Sequence, residues 1–229
     1  MNPSNVMAPR PRFGSVARRG LYRRVLNPVL KLLASPFFDR QYLRGRYFDN
    51  SPYGWPHLWR AFWVQKVFGY NRHVPWPVSP FIAIDDPRRI DFDPDDMHNF
   101  WHFGCYYSNL QGGRIRIGKG TWIAPNVGII TTNHDLQDPA KHLPPRDVSI
   151  GRDCWIGMNS VILPGVTLGD HTVVAAGSVV ARSYPRGHCV LAGVPAIRTK
   201  LVEDMSDEGR YDPPLPADPG GPASQETTI

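Results

Sequence analysis

A repeat of six residues runs through the second half of this chain and constrains its fold more than any other feature. Aliphatic residues recur at every sixth position in two frames, one over residues 117–129 and one over residues 150–180. The nine members are Ile117, Ile123, Ile129, Ile150, Ile156, Ile162, Leu168, Val174 and Val180. Seven of the nine are followed by Gly or Ala, and the fourth residue after a member is often small or β-branched.

This pattern predicts a solenoid in which each hexapeptide forms one short flat side. Three sides make a turn of 18 residues, and successive turns stack as parallel strands about 4.8 Å apart. Small residues let the chain bend sharply at the corners, while the inward aliphatic side chains fill a narrow triangular interior. We therefore predict a mainly β protein built on a parallel β-helix, with one or two irregular turns between Ile82 and Ile115.

An insertion separates the two frames. Ile129 and Ile150 lie 21 residues apart, which is 15 more than one period. We expect this excess to leave the coil as a loop within residues 131–147, and insertions of this kind often form binding faces. The loop holds TTNHDLQDPAKHLPPRD, in which His, Asp and Asn cluster.

Charge is distributed unevenly along the chain. Residues 1–80 carry 13 Lys or Arg against 2 acidic residues, the stretch to residue 200 carries 12 against 11, and residues 201–229 carry 1 against 7. This polarity argues against a uniformly basic nucleic-acid-binding protein. The three cysteines form no CxxC pair, which argues against a disulfide framework or a zinc ribbon.

Composition and pattern together divide the chain into four parts. We predict a disordered basic arm over residues 1–20 and a helical, aromatic-rich region over residues 21–79. The β-helix domain follows over residues 80–200, and an acidic, Pro-rich tail that is also predicted to be disordered occupies residues 201–229.

Two segments of the N-terminal region have helical spacing. One helix is predicted over residues 21–43, with one apolar side formed by Leu26, Val29, Leu30 and Leu33. A second is predicted over residues 56–70, with Trp59, Phe62, Trp63, Lys66 and Val67 at helical intervals. The favoured interpretation of the first helix is packing on its own domain, and the alternative is docking of residues 21–46 on an anionic membrane face. Since no apolar run suits a signal peptide or a membrane span, we expect a cytoplasmic protein, peripheral at the inner membrane face under the alternative.

Several motifs of the coil resemble those of the hexapeptide-repeat O-acetyltransferases. They are WIG at 155–157, LPGVTLG at 163–169, AAGSVV at 175–180 and AGVPA at 192–196, and the resemblance covers residues 114–200. NHDLQDPAKH at 133–142 and LWRAFW at 58–63 are more similar to acetyltransferases of exopolysaccharide and colanic-acid synthesis than to galactoside or maltose enzymes. The resemblance implies a left-handed coil, a homotrimer, acetyl-CoA bound between subunits, and transfer to a hydroxyl of a sugar or glycan.

The resemblance also implies roles for individual residues. The family's catalytic His falls on His134, and an imidazole suits the task because an alcohol needs a base that titrates near neutral pH. Asp135, Asn109 and His142 are candidates for orienting that imidazole or binding the acceptor. The coenzyme contacts fall on Trp155, Gly157, Met158, Ala176, Ala181, Arg182 and Lys200, with Arg198 as a further cation. No metal is implied, and Cys154 is expected to face the core.

Three other functions remain open at this stage. A sugar N-acetyltransferase would use the same fold and coenzyme, and a non-catalytic solenoid scaffold would use the fold alone. A γ-class carbonic anhydrase would need three His ligands around zinc. His134 and His142 would have to be completed by His102 or His171.

Overall fold

The computed structural model describes residues 20–201. The predicted basic arm (1–20) and the predicted acidic tail (201–229) therefore lie, apart from their boundary residues, outside the described residues. Within the described part, no helix is both long enough and apolar enough to cross a bilayer.

Two helices precede the coil. The first begins with a π-helical turn, Tyr22–Leu26, and continues as α1, Asn27–Ala34. The second begins as α2, Gly54–Ala61, and continues as a π-helical segment, Phe62–Val67. Short 3₁₀ helices lie at Arg40–Tyr42, Gly45–Tyr47, Pro87–Arg89, Pro94–Phe100 and Leu110–Gly112.

Among the described residues, fourteen short strands form the coil. They are β1 Ala83–Ile84, β2 Ile90–Asp91, β3 Tyr106–Ser108, β4 Ile115–Ile117, β5 Trp122–Ile123, β6 Gly128–Ile130, β7 Val148–Ile150, β8 Trp155–Ile156, β9 Val161–Ile162, β10 Thr167–Leu168, β11 Val173–Val174, β12 Val179–Val180, β13 Cys189–Gly193 and β14 Ala196–Leu201. They build three walls. Wall A is β1-β3-β6-β9-β12, wall B is β2-β4-β7-β10, and wall C is β5-β8-β11-β13-β14.

The pairing of these strands confirms the predicted β-helix. All ladders are parallel except β13 with β14, and Ile156 pairs with Val174, one 18-residue turn later. Across the insertion Ile129 pairs with Ile162 instead, so the coil resumes in register after the loop. All nine frame residues are buried, with exposed fractions of 5% or less.

The inserted loop leaves the coil where predicted. β6 ends at Ile130 and β7 begins at Val148, and no strand lies between them. The Arg146 N–H donates to the Thr131 carbonyl at 2.7 Å, which closes the neck of the loop. The loop therefore projects from the corner between walls A and B, here called the A–B corner.

The first turn of the coil is irregular, as its sequence indicates. β1 pairs with β3 and β2 pairs with β4, but the 3₁₀ helix Pro94–Phe100 takes the place of a strand in wall C. The buried Asn99 amide accepts from the Ile123 N–H and donates to the Thr121 carbonyl, both at 2.9 Å. One side chain thus makes the hydrogen bonds that a neighbouring strand would make for β5.

The first helix packs on its own domain, but mainly through a side other than the predicted apolar one. Its buried residues are Tyr22, Asn27 and Ala34, whereas Leu26, Val29 and Leu33 are about half exposed. It also ends at Ala34 rather than Leu43, because Pro36 cannot continue a helix. Of the predicted apolar side, Leu30 alone is partly buried against the core.

Candidate active site

The inserted loop folds back on itself as a narrow hairpin. The Leu143 N–H donates to the Asn133 carbonyl at 2.8 Å, and the Asp135 N–H donates to the Lys141 carbonyl at 2.9 Å. His134 and His142 face each other across the two arms as an antiparallel bridge. Their rings lie 4.4 Å apart between centroids, tilted by 37°. The hairpin therefore places both predicted loop histidines side by side.

The imidazole of His134 is held in one tautomer by the loop backbone. Its Nδ1 lies 2.6 Å from the carbonyl oxygen of Pro139. Because a carbonyl oxygen can only accept, Nδ1 carries the proton, and the neutral ring keeps its lone pair on Nε2. The side chain is exposed, and Nε2 has no hydrogen-bond partner among the described residues. This arrangement leaves a basic nitrogen open to a ligand at the foot of the hairpin.

The two carboxylates of the hairpin, Asp135 and Asp138, bind groups of the hairpin itself. Asp135 Oδ1 accepts from the backbone N–H groups of Gln137 and Asp138, at 2.7 and 3.2 Å. Asp138 accepts from the Ala140 N–H and forms an ion pair with Lys141 at 3.0 Å. Neither carboxylate is hydrogen-bonded to His134, so Pro139 rather than Asp135 orients the imidazole.

A polar concavity lies on the same A–B corner as the loop. Its volume is about 370 Å³, and its lining includes His73, Asp85, Arg88, Asn109 and Gln111. It adjoins the loop because the Thr131 N–H donates to the Ser108 carbonyl, next to Asn109, at 2.9 Å. One oxygen of the Asp85 carboxylate is buried there without a hydrogen-bond partner.

Asn109 is buried, and its amide is engaged within the chain. Its Oδ1 accepts from the Asp86 N–H at 2.8 Å, and its Nδ2 donates to the Asp86 carbonyl at 2.7 Å. The side chain thus braces the turn that carries Asp85 and Asp86. Its direct contribution to the site is to fix the wall of the concavity.

The predicted coenzyme residues divide between two corners of the coil. Trp155 on β8 and Met158 just after it are exposed, and Ala176 lies one turn beyond at the same corner, between walls C and A. Gly157 is buried against that next turn, since a Cβ there would lie 2.6 Å from the Ala176 nitrogen. This group offers apolar surface together with closely packed backbone.

The remaining coenzyme candidates are mostly cationic. Ala181 and Arg182 follow β12 at the A–B corner, the corner that carries the loop two turns earlier. With about 4.8 Å between turns, they lie about 10 Å along the coil axis from the loop neck. Arg198 and Lys200 lie on β14 at the edge of wall C, and both are exposed. One subunit therefore does not bring all the predicted coenzyme residues together.

The histidines that a zinc enzyme would need are apart. His171 pairs with His188, with ring centroids 4.7 Å apart, and His102 lies next to the Cys105 thiol at 3.7 Å. Among residues 20–201, no group of three or more His, Cys, Asp or Glu is placed to hold a metal ion. Cys154 is buried in the coil as predicted, and burial raises the pKa of its thiol.

Comparison with known proteins decides the family. A model for the bacterial transferase hexapeptide (six repeats) matches residues 147–182. Nodulation protein L of Rhizobium meliloti is 42% identical over 128 residues, which cover 53% of this chain and 68% of that protein. The chain belongs to the bacterial hexapeptide transferase family. Membership agrees with the resemblance seen in the coil motifs, and it assigns the β-helix the left-handed course predicted for it.

Other members of the hexapeptide family are also similar to this chain in sequence. The galactoside O-acetyltransferase of Escherichia coli is 34% identical over 42% of this chain and 47% of that protein. A galactoside acetyltransferase solved in complex with coenzyme A is 27% identical over 57% of this chain and 68% of that chain, with a TM-score of 0.41. Relatives named for colanic acid and lipopolysaccharide biosynthesis also match. This chain spans between about half and three quarters of the length of these curated relatives.

Proposed function

We propose that this chain transfers an acetyl group from acetyl-CoA to a hydroxyl of a sugar or glycan, with His134 as general base. The observation that carries the proposal is the hydrogen bond between His134 Nδ1 and the Pro139 carbonyl. It leaves Nε2 as the proton acceptor, exposed, on a hairpin that projects from a rigid coil. Membership in a family that includes a galactoside O-acetyltransferase supports a sugar hydroxyl as the acceptor.

In the proposed mechanism the acceptor hydroxyl donates to His134 Nε2, which removes its proton as the oxygen attacks the thioester carbonyl. A backbone N–H of the coil stabilises the negative oxygen of the tetrahedral intermediate. When this intermediate collapses, the C–S bond breaks and the coenzyme A thiolate takes the proton from the imidazolium. The products are an acetyl ester and free coenzyme A, and no acetyl-enzyme forms.

His142 acts in this proposal as a positioning residue. Its ring packs on that of His134 and lies opposite it in the hairpin. The contact restricts the imidazole to one orientation, which a general base needs for a short, linear proton transfer.

The polar concavity on the A–B corner is the proposed place for the acceptor. Sugars are bound through hydrogen bonds from planar and charged side chains, and Asp85, Arg88 and Gln111 supply these groups. The Asp85 carboxylate, which lines the concavity, would accept a hydrogen bond from a sugar hydroxyl. We assign the acceptor to cell-envelope glycans and their sugar precursors.

The proposed coenzyme site is completed by a second subunit. Trp155 and Met158 offer an apolar wall for pantetheine, and the exposed Arg182 offers a cation for phosphate. These residues lie at different corners of one coil. A homotrimer that sets the C–A corner of one subunit beside the A–B corner of its neighbour would bring the two groups to one groove.

The test compares His134→Asn with His171→Asn under steady-state conditions. We expect His134→Asn to lower kcat for acetyl transfer about 100- to 10,000-fold, the usual contribution of a general base. Acetyl-CoA affinity, measured by calorimetry, should stay within about twofold of wild type, because His134 acts on the acceptor. His171 is the matched control, since it is exposed at a coil corner in a left-handed conformation (φ 54°) that Asn also adopts.

Undiminished transfer by His134→Asn would refute the role of His134. Transfer only to amino sugars would favour the N-acetyltransferase, and acetyl-CoA binding without any transfer would favour the scaffold.

A further inference from the structure

The two N-terminal helices expose a large apolar surface. The first helix exposes Leu21, Val25, Leu26, Val29, Leu32 and Leu33, and the second exposes Trp59, Trp63, Val67 and the adjoining Phe68. The exposed fractions reach 64% for Leu32, 59% for Trp63 and 71% for Phe68. Single exposed apolar side chains are ordinary, but contiguous patches of this size mark interaction surfaces.

The two exposed faces belong to one surface. Near the helix starts, Trp55 Nε1 donates to the Tyr22 hydroxyl at 3.0 Å. Three residues after the first helix ends, the ring of Phe37 meets that of Phe62, midway along the second helix, edge to face at 4.8 Å. The second helix therefore contacts the chain at the start of the first helix and just after its end. Tyr22, Trp55 and Leu58 are buried, so the exposed apolar residues lie on the outer side of each helix.

The charge around this surface is strongly positive. Residues 20–84 carry nine Lys or Arg against two Asp. Asp49 is already paired with Lys31. Arg24 and Arg60 are exposed beside the apolar residues, and neither forms an ion pair within the described residues. A second copy meeting this face would bring cations against cations, whereas an anionic surface would complement them.

We propose that this surface, the outer faces of the two helices, docks on an anionic lipid bilayer. An interfacial helix of this kind inserts its apolar face to the level of the headgroups and keeps its cations among the lipid phosphates. Trp59 and Trp63 suit that depth, since indole rings concentrate at the membrane–water boundary. The chain would then lie on the membrane and not span it, and this inference does not depend on the proposed acetyl transfer.

The test is sedimentation of the full chain with vesicles. Wild type should bind to vesicles made of an equimolar mixture of phosphatidylcholine and phosphatidylglycerol. It should bind much less to vesicles of phosphatidylcholine alone. Arg24→Gln with Arg60→Gln should lower the partition coefficient about 25-fold, because each cation near an anionic surface contributes about 1 kcal/mol, or about fivefold.

Substitution of two apolar residues tests whether the apolar part of the surface contributes to vesicle binding. Leu32→Ser with Trp63→Ser should lower binding by at least about tenfold without unfolding the chain, since both side chains are largely exposed. Phe81→Ser is the matched control, because Phe81 is 74% exposed but lies outside both helices, in the turn before β1.

Three results would overturn the proposal. The first is failure of wild type to sediment with anionic vesicles, and the second is equal binding of wild type to both vesicle types. The third is an equal loss of vesicle binding in the Phe81→Ser control and in the Leu32/Trp63 variant. Light scattering, which measures molar mass, tests the alternative that a second copy of the chain covers this surface. A lower molar mass for the Leu32/Trp63 variant, with unchanged vesicle binding, would assign the face to a second copy of the chain.

Discussion

At the scale of single residues, the structure gives His134 a defined chemical state. The loop backbone, and not a carboxylate, fixes its tautomer, through the Pro139 carbonyl. The sequence predicted the position of this His from the motif before it and from the length of the insertion. It did not predict the Pro139 contact, because a carbonyl five residues away is brought near only by the hairpin fold. Asp135, one of the candidates for orienting the imidazole or binding the acceptor, accepts instead from two backbone N–H groups.

A second residue-scale consequence concerns acid stability. His98 packs on Trp122 with ring centroids 4.0 Å apart, and its Nε2 is buried without a partner. Burial, with smaller contributions from Arg46 and His102, lowers the pKa of His98 to about 3. The unfolded chain therefore binds a proton at His98 below pH about 6.5 while the folded chain does not, so this residue destabilises the fold as the pH falls.

We expect wild type to lose roughly 1–2 kcal/mol of unfolding free energy relative to His98→Gln between pH 7 and pH 5. Urea unfolding of both proteins at each pH measures the difference. Burial raises the pKa of Asp96 to about 6, so the contribution of Asp96 to stability changes with pH in the opposite direction. Because Asp96 is present in both proteins, its contribution cancels when they are compared. His171→Gln is the control. An equal pH response in wild type and His98→Gln would contradict the assignment.

At the scale of elements, the period of six predicted the walls of the coil but only part of its corners. A further column, three residues after seven of the nine aliphatic positions, has positive φ, at Gly120, Asn126, Asp153, Asn159, Gly165, His171 and Gly177. This column contains only Gly, Asn, Asp and His, the residues that best tolerate this conformation. The prediction relied on the first and fourth positions and overlooked this signal.

Two elements could not be inferred from the period. The wall segment Pro94–Phe100 breaks the repeat, and its replacement of a strand depends on the side chain of Asn99. The packed side of the first helix depends on long-range bonds, such as the one from the Tyr22 hydroxyl to the Ser51 carbonyl. Local periodicity carries no information about such partners.

Gly151 stacks closely on Gly169 of the next turn at the corner between walls B and C. This stacking gives a prediction at the scale of elements. A Cβ on Gly151 would lie 2.5 Å from the backbone of Gly169 and Asp170 in the next turn. We expect Gly151→Ala to lower the unfolding free energy by about 3 kcal/mol and the Tm accordingly, because backbone cannot move aside without breaking the ladder.

Gly20→Ala is the matched control for thermal unfolding. Nothing lies within 4 Å of a Cβ at that position, two residues before the π-helical turn Tyr22–Leu26. Its Tm should be unchanged or slightly higher. A Gly151→Ala protein as stable as the control would mean that the turns are not stacked this closely.

At the scale of the whole molecule, the three proposed functions fall on separate surfaces of one chain. The hairpin and the polar concavity share the A–B corner, the apolar coenzyme candidates lie at the C–A corner, and the two helices present a basic, apolar face. The neutral middle of the sequence is the coil, and the positive first third carries the proposed membrane surface. The proposed arrangement sets an acetyltransferase at the membrane, where lipid-linked glycans are available.

The most direct test of the central claim is the identity of the product. Wild-type protein is incubated with acetyl-CoA and a panel of cell-envelope sugars and glycans, and the products are analysed by mass spectrometry before and after mild alkali. We predict one acetyl mass added to a sugar and removed by alkali, because an acetyl ester hydrolyses where an acetamide does not. No added acetyl with any acceptor, or an acetyl group that survives alkali, would contradict an O-acetyltransferase.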